Sequence, residues 1–303
     1  MDVRITAALQ QLNQVLLDKP QQLQMALACI LAGGHLLLED LPGMGKTTLS
    51  TALATTLGLS HQRVQFTADM LPADLLGMNI FNRQQQQFEF HRGPVFTQVL
   101  LADEINRASP KTQSALLEAM AERQISLDGT TYPLPNPFFV IATQNPQEQA
   151  GTFALPESQL DRFMMCISLG YPGLAAEKAL LKGDHRADEL IQLPHQLSSE
   201  QLRYWQQQVQ QVNASDAVLD YLLALVQYSR HPEQPWAPLS PRASRSLLAA
   251  TKSWALLQGR HYALPDDIQA VFAAVTEHRL RAGQHQDGRP LAQRILAAVD
   301  PIQ

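Results

Sequence analysis

The sequence predicts an α/β protein: a parallel sheet flanked by helices, interrupted by two β-hairpin insertions and followed by a small all-helical domain. Three observations predict it. An apolar run, a glycine-bearing turn and a helical stretch succeed one another over residues 35–57, the order of an α/β binding unit. Further apolar runs alternate with helical segments up to about residue 170. Beyond Tyr171-Pro172-Gly173 only helical periodicity is left.

Taken in order, Leu23, Leu27, Ile30 and Leu31 recur at helical spacing over residues 20–31, and Gly33-Gly34 ends that helix. The run His35–Leu38 reads as a strand and residues 46–57 as the next helix. Residues 63–67, 99–102 and 138–143 read as fully buried strands, with a helix over 110–123 between the last two. Two segments read as β-hairpins: 77–94, with alternation around Gln84–Gln87, and 124–135, centred on the Asp128-Gly129 turn. The helical region is expected to hold helices over 199–212, 215–229, 241–258 and 265–282. Ser199 and Ser215 are its N-cap candidates, and Pro241 and Pro265 sit at first-turn positions.

A chain of 303 residues exceeds the usual size of one hydrophobic core. We therefore expect two domains, 1–172 and 173–303. The net charge of −5 and the lack of a Lys/Arg cluster disfavour a nucleic-acid partner, which requires a positive field. Cys29 and Cys166 lie far apart in apolar contexts and read as buried free thiols. With no signal-like start and no apolar run of roughly 18 residues, the expectation is a cytoplasmic protein without direct membrane insertion.

Residues 39–48, EDLPGMGKTT, fit the phosphate-loop pattern GxxxxGK[ST] except that Asp40 stands at the first glycine. That glycine eases the exit from a strand, whereas close approach of backbone N–H groups to phosphate depends on Gly43 and Gly45. The expected nucleotide-binding residues are Pro42, Gly43, Met44, Gly45, Lys46, Thr47 and Thr48. Lys46 would reach the β- and γ-phosphates, Thr47 would ligate Mg²⁺, and the helix start would face the anion.

The run Val99–Ala102 ends in Asp103-Glu104. Asp103 would hold the Mg²⁺ shell, and Glu104 would polarise an attacking water as general base. Another buried run delivers Thr143-Gln144-Asn145, and Asn145 could orient that water. Nucleotide turnover, rather than binding alone, is what this set is suited to.

The stretches LADEINRASPKTQSALLEAMAERQISLDG, FFVIATQNP and LPESQLDRF closely resemble the MoxR family of AAA+ ATPases, and the likeness runs from about Leu31 to Ala249. Ahead of it, the family's Val-x-Gly-Gln adenine-pocket signature is replaced by Leu17-Asp18-Lys19-Pro20. The resemblance implies an AAA+ core with a helical lid, ATP and Mg²⁺ as ligands, and a homo-oligomeric ring, a hexamer by family likeness. It also implies that Arg162 is an arginine finger offered to the neighbouring subunit; such fingers contribute roughly 10³–10⁵ in rate. Its competing reading is an ion pair with Asp161 or a nearby acid. Arg242, in Ser-Pro-Arg, resembles the second sensor of the γ-phosphate, and Arg107 and Arg123 are further intersubunit candidates.

The function implied is a chaperone-like remodeller or maturation ATPase acting on a protein client, with a von Willebrand factor A domain protein as partner. A magnesium-chelatase-like motor subunit and an ATP-switched binding module with little turnover stay open as alternatives.

Overall fold

The computed structural model of the protein describes residues 2–145, 151–182, 194–281 and 290–301. Helices α1 (Val3–Val15) and α2 (Pro20–Leu31) lead into a five-stranded sheet of β1 (Leu36–Glu39), β2 (His61–Gln65), β5 (Val99–Asp103), β8 (Phe139–Gln144) and β9 (Met165–Ile167). The strand order is β2-β5-β8-β1-β9 and every pairing is parallel. The three inner strands read as continuous apolar runs because both of their faces are covered. Leu36, Leu38, Val99, Leu101, Phe139 and Ile141 join a core shared with α1, α2 and α3 (Lys46–Thr56). Their alternates Leu37, Leu100, Ala102, Val140 and Ala142 face α5 (Pro110–Glu122) on the other side.

One expectation about the sheet is corrected, and with it the expected burial of Cys166. The strand expected at 63–67 to be fully buried runs over His61–Gln65 and is mostly exposed, because it is an edge strand with one neighbour; only Phe66, just past its end, is buried. The opposite edge, β9, had no expectation, since three residues are too few to show a period. Cys166 lies on that edge and is only half-buried, whereas Cys29 is fully buried and desolvation pushes its thiol up to about 12.

Both hairpins are present. After α4 (Pro72–Leu76), β3 (Gly77–Asn82) pairs with β4 (Gln87–Arg92), and β6 (Gln124–Leu127) pairs with β7 (Thr130–Pro133). The second turns on Asp128 and Gly129, both at positive φ, as a two-residue loop between right-twisted strands requires. The hairpins lie together: Asn79 Nδ2 donates to Asp128 Oδ2 at 2.6 Å, and Phe90 stacks on Tyr132 with centroids 4.1 Å apart.

From α6 (Glu157–Leu160) and α7 (Leu174–Leu181) onward the elements among the described residues are helices apart from β9, with α8 (Ser199–Gln211), α9 (Asp216–Ser229), α10 (Pro241–Leu257), α11 (Pro265–Arg281) and α12 (Leu291–Ala298). The cap of α8 is Ser198 rather than Ser199, because the capping box closes on Gln201 three residues later. Ser215 does sit at the N-cap of α9, and Pro241 and Pro265 open their helices. Of the expected helix 265–282, Ala282 lies outside the described residues. The helical region shares its core with α1–α3 and is also bonded to it, with Ser253 Oγ donating to the Ala28 carbonyl at 2.8 Å. Among the described residues no helix is long and apolar enough to cross a membrane.

Candidate nucleotide site

Parallel pairing brings the C-terminal ends of β1, β5 and β8 to one edge of the sheet. Glu39 lies opposite Gln144, and Ala102 opposite Ala142. Loops leaving that edge therefore meet, which is where open α/β sheets bind ligands.

The loop after β1 turns through Gly43 and Gly45, at φ +82° and +86°, and a Cβ at either would meet open space. Backbone geometry requires glycine there, and the lining stays bare. Gly45 caps α3 with no side chain, so the first N–H groups of the helix are left for an outside acceptor. Pro42 and Gly43 are exposed, Met44, Thr47 and Thr48 half-buried and Lys46 buried. The Lys46 ammonium donates to the Asp40 carbonyl at 2.6 Å. Desolvation lowers its pKa, and the carboxylates of Asp40, Asp103 and Glu104 oppose that shift.

At the end of β5, Asp103 Oδ1 accepts from the Thr143 hydroxyl at 2.6 Å and Oδ2 from Arg63 at 2.7 Å. The Thr143 oxygen in turn accepts the Glu104 N–H at 2.8 Å, so one hydroxyl from β8 fixes both acidic positions. Glu104 holds φ +56°, a strained value for a non-glycine residue. Its carboxylate accepts from Gln65 Nε2 at 2.9 Å and Arg107 Nη1 at 3.1 Å. Asn145 follows β8 directly, and its carbonyl accepts from Asn106 Nδ2 at 3.4 Å.

Loop 40–48, Asp103, Glu104 and Asn145 thus gather at one sheet edge. Arg162 joins a different set of contacts: its guanidinium donates to the Leu117 carbonyl on α5, and Asp161 pairs with Arg279 instead. Arg242 is exposed in the first turn of α10. Arg107 bonds Glu104, and Arg123 reaches the Gly33 carbonyl.

Asp40 does more than stand in for a glycine at a strand exit. Its buried carboxylate accepts from Ser168 Oγ at 2.7 Å, from the Leu169 N–H and from the Gly170 N–H at 3.2 Å, pinning the loop start to the segment that leads out of β9. On the same segment Asp18 accepts the Gly173 N–H at 2.8 Å and Lys19 donates to the Tyr171 carbonyl at 2.7 Å. Of residues 17–20, Asp18 and Lys19 are therefore bonded to the segment that follows β9. Arg63, Gln65 and the hydroxyl of Thr143 carry no motif; only their pairing with Asp103 and Glu104 reveals them.

The donor set suits a triphosphate with Mg²⁺. The cradle is bare backbone beside the Lys46 cation, and the Asp103 carboxylate lies near enough to act on that cation's charge. Mg²⁺ characteristically takes one or two protein ligands and completes its shell with phosphates and water.

Comparison with known proteins agrees. The ATPase family associated with various cellular activities (AAA) matches residues 35–165, and an AAA lid domain matches residues 237–299. An uncharacterized protein, YeaC of Bacillus subtilis, is 43% identical over 273 residues, covering 90% of this chain and 85% of that one. Chaperone MoxR1 of Mycobacterium tuberculosis is 38% identical over 282 residues, covering 90% and 74%. The crystal structure of a candidate ATPase from Cytophaga hutchinsonii superposes with a TM-score of 0.87 at 36% identity, over 98% of this chain and 94% of that one. With a phosphate loop, a paired-acid strand end and a helical lid in one chain, and relatives of this similarity over most of its length, the protein belongs to the MoxR family of AAA+ ATPases.

Proposed function

We propose that the chain binds ATP with Mg²⁺ and hydrolyses it to ADP and phosphate, as a chaperone-like remodeller or maturation factor working in a homo-oligomeric, hexameric ring. The single observation that carries hydrolysis is the Thr143 hydroxyl, which fixes Asp103 by its side chain and Glu104 by its backbone beside the loop that bears Lys46. In this reading the α3 start, Gly43, Gly45 and Lys46 take the phosphates, with Pro42, Met44 and Thr48 lining the loop. Thr47 and Asp103 hold the metal shell. A Mg²⁺ held by these two residues would supply positive charge to offset that of the phosphates. Glu104 would turn from Gln65 toward a water and take its proton, with Asn145 orienting that water. Arg162 would act on the neighbouring subunit's nucleotide, and Arg242 would sense the γ-phosphate from the lid.

The division after residue 172 into a nucleotide-binding core and a helical lid belongs to the same reading, as does a cytoplasmic setting. The acidic net charge, −5, favours a protein client over nucleic acid, and a von Willebrand factor A domain protein is the partner to test first. The direct test supplies purified protein with ATP and Mg²⁺ and follows phosphate release, alone and with that partner. Turnover abolished in Glu104→Gln while ATP stays bound supports the proposal. An assembled protein that holds ATP but never turns it over would reduce it to a nucleotide-gated binder.

A further inference from the structure

Arg162 sits on a peptide that the helical lid grips from both sides. Asp161 Oδ1 accepts from Arg279 Nε on α11 at 2.8 Å, and Asp161 Oδ2 accepts from the Ser240 hydroxyl at 2.9 Å. Past Arg162, Arg279 also donates to the Phe163 carbonyl at 2.7 Å and the Met164 carbonyl at 3.1 Å. His278 Nε2 lies 3.3 Å from the same Phe163 oxygen. The head group of Arg162, by contrast, rests on the core through the Leu117 carbonyl. The backbone of this residue is therefore tied to the lid and its guanidinium to the core. Arg279 has only 5% of its side chain exposed and Asp161 21%, so the pairing is largely sheltered from water.

Ser240 is also the N-cap of α10, accepting the Ala243 N–H at 3.0 Å, and Arg242 lies two residues further along that first turn. A shift of α10 on its nucleotide is thereby delivered to Asp161 through one hydrogen bond. We propose that Asp161, held between Ser240 and Arg279, is a positioning residue that relays the state of the lid to Arg162, so that a nucleotide sensed in one subunit sets the guanidinium offered to the next. This rests on the reading of Arg162 as a finger acting across subunits and of Arg242 as the lid's sensor. It adds the physical link between them.

The test uses mixed rings of the full chain. Arg162→Ala subunits keep a working site and lack a finger; Glu104→Gln subunits keep the finger and do not hydrolyse. Rings containing both are expected to regain turnover at junctions where an intact finger faces a working site. Asp161→Asn, or separately Ser240→Asp, is then added to the Glu104→Gln subunit only. Ser240→Asp keeps a good helix cap while setting carboxylate against carboxylate. Because that subunit performs no hydrolysis itself, a fall in rate reports on the neighbour's site; a loss on the order of tenfold to a hundredfold is expected from a misplaced catalytic group. Arg242→Ala in the same subunit is expected to lower the neighbour's rate too, and adding Asp161→Asn to it to cost little more, since both act through one link.

Mixed rings with no activity before any relay residue is changed would overturn the finger reading and the relay with it. Active rings whose rate is untouched by Asp161→Asn and Ser240→Asp would overturn the relay alone, as would fully additive losses with Arg242→Ala. Failure of both variants to assemble, judged by the mass of the ring and its melting temperature, would make the contact purely structural and also overturn it.

Discussion

Gln65 on the edge strand β2 holds Glu104, donating from Nε2 to Oε2 at 2.9 Å, and Arg107 Nη1 shares that oxygen at 3.1 Å. A carboxylate so occupied must be released before it can accept a proton from water. Replacing Gln65 by Ala removes one hydrogen bond to a charged, part-exposed group, which contributes modestly in solvent. Basal phosphate release at saturating ATP is therefore expected to rise about twofold to tenfold in Gln65→Ala. A rate below that of the unaltered protein would mean that Gln65 aims Glu104 productively rather than restraining it.

Lys46 and Glu104 lie close enough for the acid's charge to act on the ammonium, yet they are expected to fail differently. Lys46→Ala removes the only side-chain cation on loop 39–48 and should weaken ATP binding at least about tenfold, the loss of one charge-assisted contact. Glu104→Gln keeps shape and binding while lowering turnover by about 10²–10⁴ through loss of the general base. Fluorescent-nucleotide titration and single-turnover hydrolysis separate the two. Equal binding losses in both variants would contradict the division of roles.

Asp40 gives a prediction opposite to the one its motif suggests. Asp40→Gly restores the pattern's first glycine, but it strips the acceptor from the buried Leu169 N–H and from the less buried Ser168 hydroxyl and Gly170 N–H. Leaving buried donors without partners costs about 1–3 kcal/mol, so Asp40→Gly should be destabilised by that order and Asp40→Asn by less. Chemical denaturation checks it. If Asp40→Gly were as stable as the parent, the bonds to the β9 exit would be contributing nothing.

Reading the sequence alone recovers what depends on residue type at fixed spacing. Gly43, Gly45, Lys46 and the Asp103-Glu104 pair are of this sort, and Asp128-Gly129 identifies its hairpin because only such residues tolerate positive φ. Contacts made by distant segments are not legible that way. Asp40 and Ser168 are 128 positions apart, and nothing near Asp40 announces the partnership. Arg63 and Gln65 fall in a run that reads as a buried strand, and their partners Asp103 and Glu104 are seen only when β2 is laid beside β5. Asp161, next to the motif-bearing Arg162, has the look of an ordinary exposed acid, and its partners are supplied by helices α10 and α11 far along the chain. Strand β9 escaped notice for the plainer reason of its length.

His35 makes the stability of the sheet depend on pH. Its Nδ1 accepts the Val140 N–H at 2.9 Å, so the neutral ring carries its proton on Nε2, facing the Met120 carbonyl at 3.3 Å. Charging the ring would set a second proton against a strand N–H in a fully buried place. Burial accordingly lowers its pKa to about 4 from 6.5, with Met120 opposing the shift, and His278 is lowered by the same cause. Between those two values the unfolded chain binds more protons than the folded one, so stability is unaffected above about pH 7 and falls as the pH drops toward 4. For His35 alone the loss is about 2 kcal/mol between pH 7 and pH 5 and about 3 kcal/mol by pH 4. Urea unfolding at several pH values, compared with His35→Asn, isolates this share: the variant starts less stable but should lose less stability on acidification. Parallel pH profiles for the two proteins would show that the ring charges at no cost within the fold.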